Sequence, residues 1–413
     1  MGYQQGLSGL AGASNALDVI GNNIANANTV GFKSSTAQFS DMYANSIATS
    51  VNTQIGIGTA LASVQQQFGQ GTINTTNSSL DVAINGNGFF QMSNNGTITY
   101  TRDGTFQRDK NGYIVNSQGL NLMGYAADKN GVINTAQTVP LQAPTTNIAP
   151  TATTKITGQF NLNSQDTVPT KTPFDATDTT TYNYSTSIQV YDSLGGSQAV
   201  NMYFVKTAAG TWEAYAGVQG GTTNDLGTIQ FDSSGAISSM TTGSPATPTA
   251  ALGQFQFTVP NTDGSATPQT LTLDLTGTTQ YGGKDGVNNL AQDGYASGTL
   301  TTFTIGTDGK LTGNYSNGQT AVLGQIALAN FNNPNGLVNI GGNQYAETAA
   351  SGVPQISVPG STNHGTLQGS ALENSNVDLT SQLVNLITAQ RNYQANAQTI
   401  KTQQTVDQTL INL

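Results

Sequence analysis

The residues that most often carry enzymatic chemistry are scarce in this chain of 413 residues. It has one histidine, His364, and no cysteine, so thiolate nucleophiles and zinc–thiolate sites are excluded. His364 lies between Asn363 and Gly365, which is typical of a surface loop rather than of a catalytic base. The residue types therefore favour a protein that is not an enzyme.

Two further patterns resemble binding motifs but lack an essential part. Asp103, Asp109 and Asp128 lie near glycine-rich turns, without the alternating acidic spacing and terminal glutamate of a calcium-binding loop. Gly86 and Gly88 begin like a dinucleotide-binding fingerprint, but the third glycine and a following helix are missing. We interpret them as a turn that enters a strand, and the sequence indicates neither a cofactor nor a metal ion.

Charged residues make up 8% of the chain, against about 25% in an average soluble protein. This depletion fits either a secreted surface protein or a chain that packs against copies of itself, where many like charges would repel. The net charge of −10 argues against nucleic acid as a partner. No apolar run approaches the roughly 20 residues of a membrane-spanning helix, so membrane insertion is not expected. No Lys or Arg precedes Lys33, so a cleavable signal peptide with a basic start is not predicted.

Both ends of the chain carry heptad patterns that predict helices over residues 1–30 and 375–413. Residues 371–413 contain neither Gly nor Pro, and Ser375 with Asp378 fits a capping box. Gly31 is a stop signal just past the first helix. The C-terminal stripe comprises Leu379, Leu383, Leu386, Gln390, Tyr393, Ala397, Ile400, Gln404, Asp407 and Ile411, and the N-terminal stripe Tyr3, Gly6, Leu10, Ala13, Leu17, Ile20, Ile24 and Ala27.

Neither helix is flanked by enough apolar sequence to cover its stripe. Two unrelated amphipathic helices on a globular core remain an alternative, but we favour coiled-coil-like pairing with each other and with neighbouring copies. Because packing supplies most helix stability, we expect both ends to be disordered before assembly. The predicted assembly interface comprises Tyr3, Leu10, Leu17, Ile20, Asn22, Asn23, Ile24, Asn26, Leu383, Leu386, Gln390, Tyr393 and Ile400.

Asparagines are concentrated at the end of the first predicted helix, at positions 22, 23, 26 and 28. Asn prefers caps and turns to helix interiors. One interpretation is a loose helix end that frays. The other is that the amides are buried against other chains, where their hydrogen bonds fix the register.

The interior of the chain predicts β structure almost throughout. Turn pairs such as Asn95-Gly96 and Asn317-Gly318 separate short β-branched or aromatic runs. Residues 188–191, 255–259 and 271–275 are predicted strands. Residues 143–150, rich in Pro and Thr, and 277–298, rich in Gly, Asn and Gln, are predicted loops that bound an inserted segment.

The predicted fold is therefore mainly β with α-helical termini that pack together. It has two β domains, with the outer domain inserted in the middle one. The predicted ranges are 1–30 and 375–413 for the inner helical domain, 31–70 for a connecting segment, 71–144 and 296–365 for the middle β domain, and 145–295 for the outer one.

Several motifs resemble the rod and hook family of axial proteins of the bacterial flagellum. They lie in the family's order along the two ends and the first β domain, while 145–295 carries no recognised motif. Rod members are similar in the shared parts but shorter, so the length and the insertion resemble the hook members. The motifs are residues 22–26, 29–33, 69–71, 80–90, 100–106, 112–115, 372–379 and 390–398, with further hook-like residues at 321–331 and 335–337.

The resemblance implies a structural subunit of a curved, hollow tube that joins rod to filament and transmits torque while bending. The implied partners are copies of itself in a helical homopolymer, the distal rod protein, the hook cap, the hook–filament junction protein and the flagellar type III export apparatus. It also implies an extracellular place in the flagellum and export without a cleaved signal peptide. A cysteine-based cross-link, which some relatives form, is excluded.

Two alternatives stay open at this point. One is a distal-rod subunit, against which the length and the insertion argue. The other is a secreted β-rich adhesin or a polysaccharide-degrading enzyme, although such an enzyme needs paired carboxylates in a cleft.

Overall fold

The two ends of the chain form helices, and strands dominate between them. A computed structural model describes residues 2–42, 56–128, 131–144, 146–243 and 252–411. The helices are α1, Gly2–Ala25, and α2, Leu379–Ile411. The prediction of a mainly β fold whose helical termini pack together is confirmed.

The first helix ends at Ala25, five residues before the predicted end. Asn23 uses its side chain to bind the backbone of Ser35: its Oδ1 accepts from the Ser35 N–H at 2.8 Å and its Nδ2 donates to the Ser35 oxygen at 2.7 Å. The chain then turns and reaches Gly31 with a φ of +70°. The asparagine-rich segment after residue 25 is thus a turn rather than a helix.

The second helix begins at Leu379 rather than at residue 375. Asp378 is its cap, since its Oδ1 accepts from the N–H groups of Thr380 at 2.9 Å and Ser381 at 3.3 Å. Ser375 Oγ instead accepts from the Val377 N–H at 3.3 Å, ahead of the helix. The capping-box prediction is therefore correct for Asp378 and wrong for Ser375, because only Asp378 accepts hydrogen bonds from the first turn of α2.

The strands of the described residues are short, and most are joined by tight turns. The first fourteen are β1 (Ser35–Met42), β2 (Gly58–Gln66), β3 (Ile73–Thr75), β4 (Val82–Asn85), β5 (Phe89–Asn94), β6 (Thr97–Thr101), β7 (Gln107–Arg108), β8 (Ile114–Val115), β9 (Asn121–Ala126), β10 (Val139–Pro140), β11 (Lys155–Asn161), β12 (Tyr184–Tyr191), β13 (Ser197–Ala208) and β14 (Thr211–Val218). The others are β15 (Thr223–Phe231), β16 (Ile237–Thr242), β17 (Gln254–Val259), β18 (Gln269–Asp274), β19 (Gly286–Gln292), β20 (Leu300–Ile305), β21 (Lys310–Tyr315), β22 (Thr320–Ile326), β23 (Leu328–Asn330), β24 (Val338–Gly341), β25 (Gln344–Ala346), β26 (Gln355–Ser357), β27 (Thr366–Gly369) and β28 (Ala371–Glu373).

The chain divides into two compact units. The first consists of Met1–Thr145, Thr301–Asn314 and Thr320–Leu413, and the second of Thr146–Leu300 and Tyr315–Gln319. The terminal helices and the first β domain share one unit. The finer division into inner, connecting, middle and outer ranges therefore stays a prediction.

The first unit is built on a large sheet in the order β20-β21-β22-β9-β5-β6-β25-β24. Its core includes Phe90, Leu122 and Ile326, and edge-to-face contacts link Phe89 to Phe331 at 5.9 Å. The pairs β27–β4 and β28–β3 bring the end of the β region back to its beginning. β1 and β2 pair only with each other within the described residues and lie along α1.

The second unit contains two sheets, β12-β13-β14-β15-β16 and β17-β18-β11-β19. Large apolar side chains from both sheets form one fully buried core, including Trp212, Phe204, Phe160 and Leu273. Alternate residues point inward, as in β17, where Phe255, Phe257 and Val259 are buried.

The structure contains the predicted turns at Asn95-Gly96 and Asn317-Gly318, but two predicted connecting segments need correction. Asn95-Gly96 joins β5 to β6 with positive φ at both residues, and Asn317-Gly318 joins β21 to β22. Residues 277–298 are not one loop, because β19 pairs with β11 there. Residues 31–70 are more than a connection, because they contain the β1–β2 ladder.

Candidate assembly surfaces and the junction that positions them

The two terminal helices run antiparallel and approach closely. Asn23 near the end of α1 donates to Gln382 Oε1 near the start of α2 at 3.4 Å, whereas Gly6 lies against Ile400. A Cβ at Gly6 would be 3.0 Å from Ile400 Cγ1, and one at Gly9 would be 2.7 Å from Asn396 Oδ1. Glycine is therefore what allows this approach.

The face that α2 turns inward differs from the predicted stripe. Ala389 is buried, and Gln382, Leu386, Asn396 and Ile400 are half-buried. Of the predicted α2 interface residues, Leu386 and Ile400 lie on this face. The other three, Leu383, Gln390 and Tyr393, are exposed in the single chain.

The predicted interface residues of α1 are also divided. Asn23 is buried within its own chain, and its amide is occupied there by Ser35 and Gln382. Asn26 Nδ2 donates back to the Asn22 oxygen at 2.9 Å. Tyr3 and Asn22 are exposed, and half-buried positions are Leu10, Leu17, Ile20, Ile24 and Asn26.

Exposed apolar side chains concentrate on the two helices and on the paired strands β1 and β2. Of the 24 large hydrophobic side chains that are exposed in the described residues, 14 lie in α1, α2, β1 or β2. They are Tyr3, Leu7, Phe39, Met42, Leu61, Val64, Leu379, Leu383, Val384, Ile387, Tyr393, Val406, Leu410 and Ile411. Such a concentration of exposed apolar side chains on a few elements is typical of an interaction surface.

A buried charge cluster lies where the helices join the β domain. Glu373, at the end of β28, accepts at Oε1 from Lys33 Nζ at 2.7 Å and from the Gly71 N–H at 2.8 Å. Its Oε2 accepts from Arg102 Nη1 at 3.2 Å. The side chains of Lys33, Arg102 and Glu373 are 0%, 3% and 0% exposed. We call these three residues the junction cluster.

Both cations of the junction cluster have a second partner. Lys33 Nζ donates to the Gly69 oxygen at 2.8 Å, and Arg102 Nη2 to the Gly86 oxygen at 2.8 Å. Arg102 Nε is buried and has no hydrogen-bond partner within the described part of the chain. The cluster thus combines two basic side chains with one carboxyl group.

Burial shifts the pKa of both basic side chains of the junction cluster. Burial, followed by the neighbouring Arg102 guanidinium, holds the pKa of Lys33 below its ordinary value, and Glu373 opposes this shift. Burial also lowers the pKa of Arg102, again against the pull of Glu373. The carboxylate is therefore what makes two buried cations tolerable.

Sequence reasoning assigned no role to the junction cluster. Each member lies in one of the motifs, but the pairs are separated by 340 and 271 residues, so spacing gives no sign that they meet. The available signal was rarity, since the chain has only 12 basic residues and two of them lie within those motifs, each two positions from a glycine.

Four family models match separate parts of the chain. They are "Flagella basal body rod protein" at residues 4–33, "Flagellar hook protein FlgE/F/G D1 domain" at 83–157, "Flagellar basal body protein FlaE D2 domain" at 161–295 and "Flagellar basal body rod FlgEFG protein C-terminal" at 368–413.

Curated relatives match over the whole length. The flagellar hook protein FlgE of Salmonella typhimurium is 43% identical, with 100% of both chains covered. The chain belongs to the flagellar hook protein family. The FlgE of Treponema pallidum is 32% identical over 99% of this chain and 98% of its own.

A solved structure also resembles this hook-family chain. The crystal structure of Helicobacter pylori flagellar hook protein FlgE2 matches with a TM-score of 0.50 at 16% identity, covering 73% of this chain and 100% of that one. This likeness supports the fold alone. The resemblance read from the motifs is confirmed, and the chain is a structural subunit of the flagellar hook rather than an adhesin.

The two terminal helices also differ from membrane-spanning helices. Within the described residues, neither is long and apolar enough to cross a bilayer.

Proposed function

We propose that copies of this chain assemble into a curved tube through their terminal helices, and that the tube is a flexible joint that transmits torque from rod to filament. The observation that carries the proposal is the concentration of exposed apolar side chains on α1, α2 and the paired strands β1 and β2. Fully burying a side chain such as Leu383 or Ile387 is worth about 1.5–3 kcal/mol. Assembly is the step that would cover them.

The proposed layers follow the predicted ranges. The helices form the inner tube, the β domain of 71–144 and 296–365 the middle, and 145–295 the outer face. Head-to-tail contacts that do not close generate a helical polymer. Uncharged polar surfaces suit contacts that must slide as the tube bends, because their hydrogen bonds exchange with water at little net cost.

We still propose the predicted interface residues for assembly, but they fall into an exposed group and a half-buried group. Leu383, Gln390, Tyr393, Tyr3 and Asn22 are exposed and free to meet a neighbouring copy. The half-buried members serve mainly the pairing of α1 with α2 within one chain.

The remaining partners belong to the same proposal. The distal rod protein and the hook–filament junction protein would meet the two ends of the tube, and a cap would template its growth. The chain would be exported by the flagellar type III apparatus without cleavage of a signal peptide, and would have no enzymatic activity.

The test introduces charge on the exposed face of α2. Leu383→Glu combined with Ile387→Glu should leave the single chain folded, since both positions are exposed. It would place charges in the proposed helix contacts between neighbouring copies. Electron microscopy should show curved tubes from the wild type and monomers from the variant. Val168→Glu, at a similarly exposed position of the second unit (48%, against 45% for Leu383), is the matched control and should form tubes. Normal tubes from the helix variant would contradict the proposal.

A further inference from the structure

The junction cluster is an unusual use of charge in this chain. Two of its 12 basic residues and one of its 22 acidic residues are buried at one point. Replacing a buried ion cluster by apolar residues of similar volume is often neutral or stabilising, because desolvation offsets the Coulomb attraction. Stability alone is therefore a poor explanation for these three side chains.

We propose that Glu373 is a positioning residue that fixes the direction in which both terminal helices leave the β domain. This proposal rests on the proposed function, because the direction matters when helices carry force between subunits. One carboxylate accepts from Lys33, Gly71 and Arg102, and these donors belong to three separate chain segments. Three charge-assisted or backbone hydrogen bonds at one group set angles as well as distance, whereas apolar contacts can slide.

Both helices are tied to this point. Lys33 lies eight residues beyond the end of α1, and Glu373 six residues ahead of α2. The Gly31 N–H donates to the Glu373 backbone oxygen at 2.8 Å. The exit of one helix and the entry of the other are thereby bonded directly to each other.

A second layer of hydrogen bonds surrounds the same point. Asn376 Oδ1 accepts from the Ser34 N–H at 2.7 Å, and its Nδ2 donates to the Gln67 oxygen at 2.7 Å. Asn343, in the β domain, donates to the Val30 oxygen at 2.9 Å. The segments that flank the helices are thus held on both sides of the junction cluster.

The first arm of the test is amide exchange on the full-length monomer. Glu373→Gln leaves two buried cations without a counter-charge, so the amides of Gly31, Ser34 and Gly71 should exchange faster by on the order of a hundredfold. Amides of β5, β6 and β9, in the same unit, should keep their protection. Unchanged exchange at the three amides would overturn the proposal. Equal loss of protection in β5, β6 and β9 would also overturn it, because the cluster would then support the β domain itself.

The second arm separates geometry from stability. Lys33→Met, Arg102→Met and Glu373→Gln together remove every charge of the cluster at similar volume, and the new side-chain amide oxygen can still accept from the Gly71 N–H. We expect this triple variant to recover most of the lost protection, yet to form tubes with a broader distribution of curvature than the wild type, or none. Tubes of wild-type curvature and stiffness would overturn the proposal. Lys155→Met, which removes a half-exposed ion pair of the second unit, is the control and should leave curvature unchanged.

The two proposals fail in distinguishable ways. If the wild-type chain forms no tubes under conditions that support hook assembly, the proposed function fails. The amide-exchange experiment still decides whether Glu373 fixes the segments by which the helices leave the β domain. If tubes form but exchange at Gly31 and Gly71 does not respond to Glu373→Gln, only the positioning role fails.

Discussion

The second unit and the terminal helices show opposite solutions to burial. In the second unit, side chains such as Trp212, Phe204 and Phe160 fill a core that the chain completes alone. In α2, Ala389 is the buried residue of the described helix, and Leu383 and Ile387 face outward. The first region buries its apolar side chains within the single chain, whereas our proposal is that neighbouring copies cover those of the second. In that proposal, burial of the exposed apolar side chains of the helices drives assembly.

The largest expected effect is a loss of stability in the core of the second unit. Phe204→Ala removes a fully buried ring that lies 5.2 Å from the Phe160 ring and should cost the second unit about 3–5 kcal/mol. Urea unfolding followed by the fluorescence of Trp212, the chain's single tryptophan, measures it. Val168→Ala, at an exposed position, should change stability by less than about 0.5 kcal/mol. Equal effects of the two substitutions would contradict a self-sufficient core.

The next effect concerns the backbone beside the junction cluster. Gly31 has a φ of +70°, and a Cβ there would lie 2.6 Å from the Asp103 backbone nitrogen. Gly31→Ala should therefore destabilise the first unit by about 2–4 kcal/mol, measured by urea unfolding followed by circular dichroism. Gly96→Ala, at positive φ but with open space around it, should cost only about 1–2 kcal/mol. An equal cost at both positions would mean that the close approach at Gly31 is relieved.

A smaller effect is expected from the cap of α2, and it tests the role of the helices in assembly. Asp378→Ala removes the cap of α2 and should cost about 1 kcal/mol per subunit. The readout is the temperature at which assembled tubes release monomers, which should fall. Asp407→Ala, near the other end of α2, removes no cap and is the control. A drop that is the same for both variants would show that capping does not limit the polymer.

The smallest effect is a pH dependence in the second unit. Burial alone would raise the pKa of Asp274, but Lys155 and Thr276 lower it to about 2. A carboxyl with a depressed folded-state pKa contributes stability above its ordinary pKa of 3.8, and this is lost as the pH falls through about 2. Lys155→Met should therefore reduce the fall in the urea midpoint between about pH 4 and pH 2. The difference should be below about 1 kcal/mol, since Lys155 is half-exposed.

The sequence was informative where patterns are local. Turn pairs such as Asn95-Gly96 and Asn317-Gly318 have a glycine with positive φ, as expected for hairpins. Alternating apolar residues mark strands such as β17 and β18 with bounds close to those observed. The strand β19 was missed because its Gly, Asn and Gln residues have low strand propensity, and only pairing with β11 makes it a strand.

The candidate site was harder to predict for two physical reasons. Polar residues dilute the apolar stripe of α2, so the heptad pattern alone did not identify the buried face. In the structure, Ile400 lies against Gly6 and Asn396 against Gly9, and Ala389 is buried. The junction cluster depends on contacts across hundreds of residues, which no local period records. Asn23 likewise binds Ser35 of its own chain, although its spacing gave no indication of this.

Amide exchange of the full-length protein, compared between a proven monomer and the assembled tube, tests the central claim most directly. The account predicts rapid exchange in residues 2–25 and 379–411 of the monomer, strong protection of the same residues in the tube, and equal protection of β13 and β14 in both states. Helices that are already strongly protected in the monomer, with no gain on assembly, would contradict the claim that neighbouring copies complete them.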